Sequence, residues 1–235
     1  MRVTVLSFFL FASGLAQANH MIIAYDVPLF PGPPAAYQPG NQFNTTELWL
    51  GLDFDVNAPI QIDSLGYFDG SGNGVQGTGI RVAIRDRNSG SLMAGADFTF
   101  TGTTGYLVNN NRFSDLTAPV QLDPGQYSVV AAGFSDVDPN INLGYNDSAP
   151  KLGSIMNNGG GLLSFVGRGR YGTYKNGSFG SIDNDTVPAN VAYPANVFGA
   201  GTFRYSSTVP DGGATSMLLA VGLAGLAGIR RMFRK

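Results

Sequence analysis

Six consecutive residues, Asp69-Gly70-Ser71-Gly72-Asn73-Gly74, have the types and spacing to hold a metal ion. Oxygen-bearing side chains at positions one, three and five, with glycine at six, suit a hard cation gripped by a tight turn. The spacing selects Asp69, Ser71 and Asn73 as ligands, and calcium at extracellular levels as the ion. The twelfth position is Ile80 and not Glu, so the loop is not an EF-hand. The same pattern also reads as a Gly-rich turn between two strands. Asp136, Asp138 and Asn140 offer a second, weaker oxygen cluster. No other cofactor is expected.

Catalysis finds few residues to work with. Cys is absent, and the single His is His20, near the start of the chain. A Ser-His-Asp relay needs a held imidazole. Zinc and copper need His or Cys ligands. Glu47 is the one Glu, and no Asp pair stands out as a glycosidase acid and base. Asp53 and Asp55 read as a solvated strand face. No catalytic residue is assigned and no enzymatic activity is expected. Trp49, with Tyr145, Tyr171, Tyr174 and Tyr193, can supply a platform for stacking sugar rings. Core and cross-strand packing is the competing reading of the same aromatics.

These residues would be positioned by strands. In Leu48 to Val56 the even positions are all apolar, and the odd ones carry Trp49, Gly51, Asp53 and Asp55. That period of two predicts one buried and one wet face. Asn57-Ala58-Pro59 turns the chain into a second strand, Ile60 to Phe68. Asp69 to Gly79 reads as a Gly-rich loop. Ile80, Val82 and Ile84 mark a third strand, and Leu92 to Phe100 a fourth. Tyr106 to Val108 and Pro119 to Leu122 are shorter. Asp123-Pro124-Gly125 is a strong turn signal before Gln126 to Phe134. Residues 135–161 read as loop. Leu162 to Val166, Arg168 to Tyr174 and Val197 to Tyr205 complete the set. No apolar helical period persists between residues 45 and 205. The expectation is an all-β fold, an antiparallel β-sandwich.

The two ends are different in kind. Arg2, the apolar run Val3 to Ala12, and Ala16-Gln17-Ala18 fit a signal peptide cleaved after Ala18. Residues 19–44 carry Pro28, Pro31, Pro33, Pro34 and Pro39, and should be extended with little regular structure. The last 27 residues run from Val209-Pro210-Asp211-Gly212-Gly213 through an uncharged stretch, Ala214 to Ile229, to Arg230, Arg231, Arg234 and Lys235. As a helix the stretch would span about 24 Å, close to a bilayer core of about 30 Å. Its basic stop would stay in the cytoplasm and leave the body outside. Setting aside Arg2, the four tail cations and Asp211, nine basic residues remain in the body against fifteen acidic ones. That balance argues against nucleic acid as a partner. An exported chain without Cys must be stable through its core alone.

The tail order of polar motif, apolar helix and basic cluster resembles the PEP-CTERM class of bacterial sorting tails. Val209 to Gly213 is similar to its VPDSG-type variant. Pro210 matches the first Pro of Pro-Glu-Pro, Asp211 stands for Glu, and Gly212 replaces the second Pro. The resemblance implies processing by an exosortase, an integral-membrane protease of bacteria that make exopolysaccharide, with cleavage near Pro210 to Gly213. The segments Leu52 to Ile60, Ser64 to Asp69 and Leu122 to Tyr127 resemble a jelly-roll-like domain of unknown function common in proteins with this tail. That likeness implies a fold and no activity.

The expected organisation is a signal peptide (1–18), a Pro-rich segment (19–44), a jelly-roll-like β-sandwich (45–208) and a sorting tail with one transmembrane helix (209–235). The expected partners are signal peptidase, exosortase, the membrane through the helix, and exopolysaccharide. The expected role is an exported surface or extracellular-matrix protein, structural or adhesive. The alternative is a carbohydrate-binding module, calcium-assisted, acting on exopolysaccharide.

Overall fold

The computed structural model describes residues 21–27, 48–142, 155–166, 169–180 and 198–208. The signal peptide, most of the Pro-rich segment and the tail lie outside them. The described residues form β-strands and no helix. Accordingly, no described helix is long and apolar enough to cross a membrane.

In chain order the strands are β1 (Ile22–Ile23), β2 (Tyr25–Asp26), β3 (Leu48–Val56), β4 (Ile60–Phe68), β5 (Val75–Asp86) and β6 (Leu92–Gly102). Then come β7 (Tyr106–Val108), β8 (Asn111–Leu122), β9 (Gly125–Ala132), β10 (Ile141–Asn142) and β11 (Ile155–Met156). The last are β12 (Leu163–Phe165), β13 (Arg170–Lys175), β14 (Ser178–Phe179), β15 (Phe198–Gly199) and β16 (Gly201–Ser207). They make two curled antiparallel sheets and two short two-stranded ladders, β10-β15 and β11-β2. One sheet has the order β1-β16-β4-β8-β7; the other runs β14-β13-β3-β9-β5-β6, with β12 also on β3.

The core lies between the sheets. Leu50, Leu52, Phe54 and Val56 of β3 face Ile60, Ile62 and Leu65 of β4 and Phe203 and Tyr205 of β16, all buried. Phe54 meets Phe203 with ring centroids 4.9 Å apart, and Tyr67 meets Phe100 at 4.8 Å. The even positions of β3 are thus the core face, as their period predicts.

The odd face of β3 corrects the expectation of a wet surface. Trp49 and Asp53 are both 0% exposed. The neighbours on this face are Ala132, Val130 and Ser128 of β9, and then Arg81, Ala83 and Arg85 of β5. Trp49, Ala83, Val130 and Ala132 form a second apolar cluster, on which Tyr174 and Phe179 pack from the β13–β14 hairpin. That hairpin turns through Asn176 and Gly177, with φ of 51° and 75°. Asn-Gly is the residue pair that a tight two-residue hairpin turn prefers. A period-two pattern reports what each face is made of, not what is laid over it.

Three further differences are local. Strand β8 is twelve residues long, whereas only Pro119 to Leu122 was expected. Its first half buries Asn111 and Arg112, so polarity hides it. Strand β5 begins at Val75, inside the expected loop. Residues 22–26 of the Pro-rich segment are stitched into sheets: β1 pairs β16 and β2 pairs β11. Ala24, Tyr25 and Val27 are buried there.

Candidate functional site

The loop from Asp69 to Gly74 closes on itself and on an arginine. Asp69 follows β4 directly, and its amide donates to the carbonyl of Asn110 at 2.8 Å. Asp69 Oδ2 accepts the Gly74 amide at 3.0 Å and Arg112 Nε at 2.8 Å. Arg112 also donates through Nη2 to the carbonyl of Gly72 at 2.9 Å. Ser71 Oγ donates to Asn73 Oδ1 at 2.5 Å. Gly74 takes φ of 77°, and a Cβ there would lie 2.3 Å from the carbonyl oxygen of Gly102. Glycine is therefore required at this turn.

In this geometry Asp69 is paired with Arg112, and Ser71 with Asn73. The Asp69 carboxylate already faces a guanidinium, which a calcium ion in the loop would have to sit beside. Asp69 and Arg112 are both buried, so their mutual neutralisation is what lets either stay there. The second cluster is likewise split. Asp136 points to solvent, while Asp138 is buried and accepts the amides of Gln76 and Gly77 at 2.8 and 2.7 Å. It pins the start of β5. Among the described residues no three His, Cys, Asp or Glu side chains gather around one point.

Asp53, read as solvated, is the hub of a buried network. Its Oδ1 accepts Ser128 Oγ at 2.5 Å. Its Oδ2 accepts Arg170 Nε at 2.7 Å and Arg87 Nη1 at 3.0 Å. Arg87 Nη2 continues to Asp55 at 2.7 Å. Two arginines from β13 and the β5–β6 turn are thereby tied onto β3. Arg85 is also buried and donates to the carbonyls of Gly90 and Gly180 at 2.6 and 2.8 Å. Its guanidinium lies 5.9 Å from the Trp49 ring centre, and desolvation pulls its pKa below the usual arginine value.

Trp49 presents no face to a ligand. Its indole is covered by Arg85, and a Cβ on Gly172 would lie 2.5 Å from Nε1. Tyr171 and Tyr174 are half-buried, and the Tyr174 ring packs tilted against Phe179 with centroids 5.1 Å apart. Tyr145 and Tyr193 lie outside the described residues. The described aromatics pack within the domain and form no sugar platform around Trp49.

One polar cluster escapes the sequence reading. Opposite β16, strand β4 carries one extra residue at Asp63, since Ile62 and Ser64 pair with the adjacent Tyr205 and Arg204. Opposite β8 the same two residues pair with Val120 and Asp115, and there the larger excess, residues 116–119, bulges from β8. Asp63 thus has no partner on either flank. Its sequence signal is a phase change, since the core positions of β4 are Ile60 and Ile62 before it but Leu65 and Tyr67 after it. One inserted residue shifts a strand in this way. Burial raises the Asp63 carboxyl above its ordinary pKa, Ser206 and Arg204 pull it back, and Asp115 adds to the rise.

The sorting-tail residues Val209 to Gly213, Arg230, Arg231, Arg234 and Lys235, and the cleavage residues Ala16 and Ala18, lie outside the described residues. What the structure fixes is their starting point. Strand β16 ends at Ser207, and Thr208 is bonded to the carbonyl of Pro59 through its amide (3.3 Å) and its hydroxyl (3.0 Å). Residues 208–233 match the VPDSG-CTERM motif. The chain therefore carries a PEP-CTERM-type sorting tail, of the kind exosortases process, and it begins where the last strand stops. No curated protein and no solved structure matches the chain.

Proposed function

We propose that this chain is an exported bacterial surface or extracellular-matrix protein whose β-domain has a structural or adhesive role and no reaction of its own. The observation that carries the reading is the VPDSG-CTERM match at residues 208–233. It implies delivery across the membrane and processing by an exosortase. In this reading the apolar stretch Ala214 to Ile229 is a temporary single-pass anchor, and signal peptidase removes residues 1–18. Composition supports the lack of a reaction, with no Cys and one His in the chain. A carbohydrate-binding role would need a surface other than Trp49, because that indole is buried.

The test is the intact mass of the protein recovered from the outer fraction of the cells that make it. The expected species begins at Asn19 and ends between Pro210 and Gly213. A species still carrying Arg230 to Lys235 would overturn processing of the tail. A species found only in the cytoplasm would overturn export.

A further inference from the structure

The bulge at Asp63 gathers oxygen atoms that lack partners. Asp63 Oδ2, Ser64 Oγ and Ser206 Oγ are all buried and complete no well-formed hydrogen bond. Ser206 Oγ lies close enough to the Asp63 carboxyl to lower its pKa, so these two oxygens meet without satisfying each other. Ser64 is 0% and Ser206 2% exposed. An unpaired buried polar atom is costly to leave unsatisfied, so three on one face of the sheet call for a missing partner. They share one face of the smaller sheet. Leu65 and Phe203, paired with each other, point into the core, so the next paired set, Ser64, Arg204 and Asp115, points outward. Ser206, one residue beyond the core residue Tyr205, points the same way. Ser206, Arg204 and Asp115 all act on the Asp63 carboxyl.

The charge and the hydrogen bonds around the cluster narrow the choice of partner. Two carboxylates, Asp63 and Asp115, meet one cation, Arg204. Arg204 is turned aside: Nη1 donates to Tyr106 Oη at 2.7 Å, and its guanidinium lies 5.8 Å from the Tyr106 ring centre. Tyr106 Oη in turn donates to Asp115 Oδ1 at 2.8 Å, which leaves Asp115 Oδ2 uncommitted. The unsatisfied atoms are thus carboxylate and hydroxyl oxygens with net negative charge. Asp115 is exposed, which gives an ion a way in from solvent.

We propose that Asp63, Ser64, Asp115 and Ser206 form a binding site for a divalent cation, with calcium as the ion that fits. Hard oxygen ligands select calcium or magnesium over softer metals. Calcium completes six to eight ligands with water in flexible geometry, while magnesium demands a near-ideal octahedron. A bulge with side chains from three strands is the looser frame. Two carboxylates beside an arginine put the expected Kd at about 10⁻⁴–10⁻³ M, the extracellular range.

Isothermal titration of chelator-treated full-length protein in detergent with calcium chloride tests the site. Binding in that range is expected. Asp63→Asn should weaken it about tenfold or more, and Ser206→Ala by a smaller factor. Arg204→Gln should tighten it by removing the neighbouring positive charge. Far-UV circular dichroism checks that each variant keeps its sheets. No calcium binding by the unmodified chain would overturn the proposal. So would binding that Asp63→Asn leaves unchanged, or binding lost in Asp69→Asn alone, which would put the ion in the 69–74 loop instead.

Discussion

Arg112 Nε and Asp69 Oδ2 lie 2.8 Å apart with both side chains out of solvent, so the acid of the expected calcium loop is committed to a guanidinium. Removing one partner of a buried pair leaves the other charge uncompensated, at about 3–5 kcal/mol. Asp69→Asn should therefore lower unfolding stability by that order, equally in calcium and in chelator. Urea unfolding in the two buffers measures it. A loss seen only with calcium present would restore the loop as an ion site.

Asp53 should be the most sensitive acid of the larger sheet. Asp53→Asn leaves Arg87 and Arg170 facing a neutral group beneath the β13–β14 hairpin. About 3–5 kcal/mol of destabilisation is expected. Arg170→Ala should lose less, about 1.5–3 kcal/mol, because Arg170 is partly exposed and Asp53 keeps Arg87 and Ser128. Equal losses for the two variants would contradict Asp53 as the hub.

Trp49→Ala should destabilise the domain by about 3–5 kcal/mol, the usual range for emptying a buried aromatic site. Loss of glycan retention in that variant would then report unfolding, not a lost sugar platform. Gly172→Ala probes the same contact from the other side, since its Cβ would press on the indole. Overpacking of this kind is worth about 1–3 kcal/mol. A fully stable Gly172→Ala would mean the indole has room to move.

The pH dependence of stability should carry a mark from Asp63. Burial raises its carboxyl above the ordinary value of 3.8. The native state then binds more protons than the unfolded chain between 3.8 and the raised value. This group's contribution to stability is fully present below 3.8 and is lost as the pH rises through the raised value. In chelator, Asp63→Asn should therefore be the more stable protein at neutral pH, with a flatter profile through the mildly acidic window. Parallel profiles for the two proteins would rule out burial of the Asp63 charge.

Much of the framework could be read from residue types. Strands β3, β4 and β7 and the turn at Asp123-Pro124-Gly125 follow from period two and turn chemistry, which are local. What stayed hidden depends on distant segments. Strand β3 shows an odd face of Trp, Gly and Asp, and only the hairpin at Asn176-Gly177, over a hundred residues away, makes it an interior. Asp53 looks like any solvated acid until Arg87 and Arg170 arrive. Asp69, Ser71 and Asn73 have the spacing of ion ligands, but spacing does not reveal that Arg112 lies across the sheet. The expectation of an unbroken strand from Ile60 to Phe68 passed over the slipped apolar phase at Asp63, and the oxygens around it needed three strands in register.

Strand β16 is bonded on both edges, to β1 and to β4, and the matched tail begins directly after its last residue. If the tail anchors the body before processing, as proposed above, any drag on the body would be transmitted along the strand axis. Antiparallel ladder bonds stand perpendicular to the strands, so such a pull shears them together and does not peel them one at a time. In that reading the five-stranded sheet would bear the load at the anchored end, and the Thr208–Pro59 contacts would be the first fastening to meet the strain.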